Sequence, residues 1–200
     1  MSFELLGGRM LAPFFGSSVY VWGSIITVFM LALSLGYLLG GRYSMFRPSI
    51  NRFAVIFIIA AVTILPSIFF SQNIFEAVFE WIEDPRYGSL LASTAVFLVP
   101  SIVMGMIAPY SVRIMTVSAN SSGQTAGFLY FVSTLGSAIG TILTSFYLVL
   151  WLEINQILWL VFSILAFCGA LALIMNYWIN IADSEQVDDE NLKPELITND

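Results

Sequence analysis

Phe53-Ala54-Val55-Ile56-Phe57-Ile58-Ile59-Ala60-Ala61-Val62-Thr63-Ile64-Leu65-Pro66-Ser67-Ile68-Phe69-Phe70 runs without one charged side chain. The hydrocarbon core of a bilayer is about 30 Å thick, and about 20 mostly apolar helical residues cross it. In lipid only helices and closed barrels satisfy every backbone polar group, and this run is too long and too evenly apolar for a strand. It reads as a transmembrane helix. Working outward, Val19–Gly40, Ser89–Tyr110 and Ile157–Ile179 repeat the pattern, and Gln124–Trp151 is as long but richer in small and hydroxyl residues. The expectation is an all-α fold: a polytopic membrane bundle of five to six helices over residues 1–179, followed by an acidic tail, 180–200, without fixed structure.

Composition agrees. Of 200 residues, 58% are hydrophobic and 10% charged, against about 25% charged in a soluble domain. The net charge of −6 lies in the tail, because the arginines and acids of residues 1–179 balance. No basic surface exists to neutralise phosphates, so nucleic acid is excluded as a partner. The chain has no histidine and a single cysteine, Cys168. That excludes a zinc site, a histidine-based triad and an intrachain disulfide. No cofactor, metal or catalytic residue is expected.

The first segment, about residues 3–15, would reach roughly 22 Å as a helix, short of a span. It is read as a short tilted helix, a half-inserted one, or a span without its upstream part. It carries Glu4 and Arg9, and a charge within hydrocarbon is costly enough to suggest function; a structural ion pair to the bundle is the plainer reading. The two are five residues apart, so they point about 140° from one another, and each is expected to be buried against a neighbouring helix.

Loop 41–52 holds Arg42, Arg47 and Arg52, and loop 111–123 holds Arg113, which joins Glu4 and Arg9 as a candidate intramembrane charge, whereas loop 71–88 is mostly acidic. The positive-inside rule therefore puts the arginine loops and the tail in the cytoplasm. Within the acidic loop, Glu76, Glu80 and Glu83 recur at i, i+4 and i+7, which predicts an amphipathic interfacial helix over 74–84. Its acids are a solvated face or, more sharply, a lip that concentrates cations.

The densest motif lies in the fifth run. Ser133, Gly136, Ser137, Gly140, Thr141 and Thr144 share one helix face, with Gly136 and Gly140 as a GxxxG. Close helix packing explains the glycines; a polar path would explain the hydroxyls as well. Smaller stripes lie at Ser101, Gly105 and Pro109 and at Gly36 and Gly40. Pro66 and Pro100 each remove a helical hydrogen bond and favour a kink. Asn120-Ser121-Ser122 matches a glycosylation acceptor that falls on the cytoplasmic side and reads as chance.

The run Glu4-Leu5-Leu6-Gly7-Gly8-Arg9-Met10-Leu11-Ala12-Pro13-Phe14-Phe15-Gly16-Ser17-Ser18-Val19-Tyr20-Val21-Trp22, with Leu35-Gly36-Tyr37-Leu38-Leu39-Gly40-Gly41-Arg42, resembles the membrane domain of bacterial spermidine-synthase-like proteins. Pro100-Ser101-Ile102-Val103-Met104-Gly105-Met106 with Pro109 and Arg113, and Thr125-Ala126-Gly127 leading to Ser133-Thr134-Leu135-Gly136-Ser137 and Gly140-Thr141, extend the resemblance over residues 4–150. It implies a transporter-like six-helix unit resembling half of a major-facilitator fold, in the inner membrane. Such proteins usually carry more apolar sequence before the glutamate and a soluble aminopropyltransferase domain after the helices; here an acidic tail follows. Catalysis therefore transfers to no residue. Two functions follow. One is a module that moves a small, cationic, polyamine-like solute across the bilayer, as a homo-oligomer or with a partner. The alternative is a membrane anchor for a separately encoded soluble aminopropyltransferase-like enzyme.

Overall fold

The computed structural model describes residues 1–46, 48–116 and 122–197, the side chains of 122 and 180–197 excepted. Arg47 and most of the Asn120-Ser121-Ser122 match lie outside the described residues. The apolar runs become helices α2 (Val19–Ser44), α3 (Ile50–Trp81) and α4 (Pro85–Met115). The fifth run becomes α5 (Ser122–Leu143), a π-helical turn at Thr144–Leu148, and the short α6 (Val149–Trp151). The last helix, α7, runs Ile154–Ile197. Five of these stretches, Gly123–Trp151 being taken as one, are long and apolar enough to cross a membrane. The protein is an all-α, multi-pass helical bundle. One end of it carries the short turns at 16–18, 82–84 and 152–153; the other carries Arg42 and Arg113.

The helix starts follow from the caps. Ser49 accepts the Arg52 N–H at 3.3 Å and opens α3. Asp84 accepts the Arg86 N–H at 2.9 Å, with Pro85 in the first helical turn of α4. Both use the short polar side chains that satisfy orphan N–H groups, and proline there gives up a donor the helix would not use. Because Asp84 and Pro85 fix the start, α4 begins four residues before the predicted Ser89.

Two expectations change. The predicted interfacial helix over 74–84 is not a separate element, because α3 continues unbroken through Pro66 to Trp81 and carries Glu76 and Glu80 on its end. Its backbone bonds are already satisfied along one axis, so nothing forces a bend into the interface. The acidic tail, expected to lack fixed structure, has helical backbone as far as Ile197; no glycine or proline stands between Gly169 and Pro194 to stop it.

The first segment forms α1 (Ser2–Phe15) and lies inside the bundle. Leu6 and Leu11 are fully buried, and Phe3 packs edge-on to both Phe29 of α2 and Phe97 of α4, centroids 5.8 and 5.2 Å apart. Such edge-to-face pairs add roughly 0.5–1.5 kcal/mol each beyond burial. At its start, Ser2 donates its hydroxyl to the Gly140 carbonyl at 3.2 Å. Gly140 lies about 16 Å along the helix from Trp151, so α1 begins near mid-depth and ends at the turn end. It is a half-height core helix, outside the five span-length ones.

The tightest backbone approach joins α2 to α4. A Cβ built on Gly36 would lie 2.8 Å from the Gly105 Cα, and one on Gly40 would lie 2.7 Å from the Met106 Cα. Small residues permit this approach, and dispersion across it replaces the hydrophobic drive that lipid does not supply. The stripe at Ser101, Gly105 and Pro109 and the pair Gly36 and Gly40 are two sides of one seam.

Candidate functional site

One stripe of α1 holds Ser2, Leu6, Arg9 and Pro13, spaced by helical turns. Two cavities lie along it. The larger, about 710 Å³, opens at the turn end and takes Arg9 and Pro13 from α1. The smaller, about 340 Å³, is an open groove beside Ser2 at mid-depth, with Ser133 and Gly136 of its lining exposed. Ligand pockets usually hold about 300–1,000 Å³.

The larger pocket gathers charge from three elements: Arg9 of α1, Glu76 of α3 and Glu153 of the α6–α7 turn, all exposed. Gln72, Asn73 and Asn155 add amides, while Met10, Phe14 and Phe75 supply an apolar wall. One guanidinium thus shares a pocket with two carboxylates and neutral donors and acceptors. A wet mouth over an aromatic wall can hold a small polar molecule by both charge and contact.

The smaller cavity is lined by Ser133, Gly136, Ser137 and Gly140 of α5, with Met104 of α4 and Ile164 of α7 facing them. The hydroxyl face therefore borders open volume. Between the cavities stand Leu6 of α1, Thr144 of the π-helical turn, and Ile157 and Leu158 of α7, each at most 1% exposed. Each lies between the two lining sets along its own element, where less buried residues such as Glu4, Ser145 and Gln156 also fall. Thr144 donates its hydroxyl to Ser2 at 2.8 Å, which ties the turn to α1 at the barrier. Here the Val149 N–H reaches back to the Thr144 carbonyl, the five-residue spacing of a π-bulge, a feature frequent at functional sites.

The predicted residues sort as follows. Glu4 is half-buried, but Arg9 is exposed in the pocket, so the expectation that both are buried against the bundle fails for Arg9. A charged head is better solvated at an open mouth than among Leu6 and Leu11, and its stem reaches that far. Arg113 is exposed in the last turn of α4 at the opposite end. Glu80 and Glu83 are exposed, and only Glu76 of the acidic face joins the pocket lining. Thr141 is half-buried, donates to the Ser137 carbonyl at 2.8 Å, and is not among the lining residues.

The GxxxG of α5 is not a close-packed site within the described residues. A Cβ on Gly136 would meet nothing within 4 Å, and one on Gly140 meets only the Ser2 hydroxyl at 3.3 Å. A GxxxG permits approach without requiring it; here the cavity takes the space. Sequence reasoning passed over Glu153, Asn155, Gln72 and Asn73. Glu153 gave a usable signal, as an acid isolated between two apolar runs. Comparison of the chain with protein-family models, curated proteins and solved structures finds no match.

Proposed function

We propose that this chain is a membrane transport module that moves a small polar solute, taken up at the pocket of Arg9, Glu76 and Glu153. The observation that supports this reading is the pair of pockets along one face of α1, with buried residues of α1, the π-helical turn and α7 lying between their lining sets. A transporter needs a site with its exit closed and an element able to shift between two packings. The π-helical turn at Thr144–Leu148 fits that need, because returning one bond to α-helical spacing turns the residues beyond it. The resemblance to spermidine-synthase-like membrane domains supports the same class and suggests an inner-membrane location with a cytoplasmic tail. A homo-oligomer would supply the second half that such folds pair.

The test is flux in proteoliposomes made with the full chain. Leu158→Ala and Leu6→Ala thin the barrier, and uptake or leak of small solutes should rise in both. Uptake indistinguishable from empty vesicles for the parent and both variants would sink the transport reading. The anchor reading predicts that outcome, together with capture of a soluble aminopropyltransferase-like protein that is lost on deleting residues 180–200.

A further inference from the structure

We infer that the turn-end pocket binds a small zwitterion, a molecule carrying one ammonium and one carboxylate on a compact apolar body. This deepens the transport reading and rests on the same pocket. A purely cationic solute suits Glu76 and Glu153 but would meet Arg9 within the same lining. A purely anionic one suits Arg9 but meets two carboxylates. A zwitterion answers both signs at once, with the guanidinium taking the carboxylate in its planar two-pronged geometry and the carboxylates of α3 and the α6–α7 turn taking the ammonium.

The rest of the lining fits the same molecule. Gln72, Asn73 and Asn155 both donate and accept, so they can complete the hydrogen bonds of either head group. Met10, Phe14 and Phe75 offer the apolar wall that a hydrocarbon side chain needs. About 710 Å³ leaves room for a molecule the size of an aliphatic amino acid with some water. The competing arrangement is internal: Arg9 folds onto Glu76 or Glu153 and the three charges cancel one another. Surface pairs of that kind are worth little, and in that arrangement nothing of either charge type would bind.

Three probes of one shape separate these cases. L-leucine is the zwitterion, L-leucinamide lacks the carboxylate, and 4-methylpentanoate lacks the ammonium. Binding to the full chain in detergent is measured by equilibrium titration, alongside uptake of each into proteoliposomes. The expected result is that L-leucine binds about tenfold or more tightly than either partial analogue, the scale of one charge-assisted hydrogen bond. Arg9→Gln should erase the preference over L-leucinamide but keep that over 4-methylpentanoate. Glu76→Gln combined with Glu153→Gln should do the reverse. L-leucinamide binding as tightly as L-leucine, or no binding by any of the three, would overturn the inference. Its failure is separable from that of transport: uptake of L-leucinamide alone removes the zwitterion and keeps the transporter. Selective L-leucine binding without uptake keeps the pocket and removes the transporter.

Discussion

Gly36 and Gly105 face each other across the α2–α4 seam so closely that a Cβ on Gly36 would stand 2.8 Å from the Gly105 Cα, and would also crowd the Ile102 carbonyl. The obstacles are backbone atoms, which cannot swing aside. Gly36→Ala should therefore destabilise the bundle by about 1–3 kcal/mol, the usual scale of overpacking. Gly136→Ala is the control: it meets open space and should be neutral or gain about 0.5–1 kcal/mol from helix propensity. Detergent unfolding of the two variants checks this. Equal loss in both would mean that the α5 face is packed as tightly as the α2–α4 seam.

Gly16 closes α1 at φ 77° and ψ −170°, a backbone state that side chains other than glycine's enter only under strain. No atom lies within 4 Å of a Cβ built there, so the cost of Gly16→Ala is purely conformational. It should be about 1–3 kcal/mol, read as a lower melting temperature of the detergent-solubilised protein. A variant as stable as the parent would show that the α1–α2 turn takes another path.

The hydroxyl of Thr144 donates to Ser2, and that of Ser2 to the Gly140 carbonyl. Thr144→Val keeps the volume and removes the donor. Stability should fall by about 0.5–1.5 kcal/mol, and amide exchange in α1 should quicken. Combining it with Ser2→Ala should cost less than the two single changes added together, because they share one link. Strict additivity would count against the link.

Topology is checked with single cysteines in a Cys168→Ala background. Met45→Cys lies at the arginine end of the bundle, and Gln72→Cys and Asn155→Cys at the turn end. An impermeant thiol reagent added to intact cells should reach the second pair and not the first, as the positive-inside rule requires. Labelling of Met45→Cys from outside would invert the scheme.

The spans were legible because each is an uninterrupted apolar run, and lipid allows such a run only one regular form. The α2–α4 seam was legible in part: Gly36, Gly40, Ser101, Gly105 and Pro109 stood out as small residues, though nothing local says that they meet. The place of α1 was not legible, since a helix too short to span owes its burial to Phe29, Phe97 and Leu158, all distant in sequence. The pocket was the least legible feature. Glu76 and Glu153 each read alone as a solvated charge and Arg9 as one buried against a neighbouring helix, and only the fold brings the three to one mouth.

The half-height helix also bears on how the protein is made. α1 leaves the ribosome before the helices that enclose it, and its 14 residues are too few to form a stable span alone. The groups that hold its start, Gly140 and Thr144, are synthesised 138 and 142 residues later than Ser2. The hydrogen bonds at the start of α1 can therefore form only once the π-helical turn has been made, whereas its aromatic contacts with Phe29 and Phe97 are available earlier. A nascent protein halted before Gly140 would hold α1 without either of the hydrogen bonds that anchor its start.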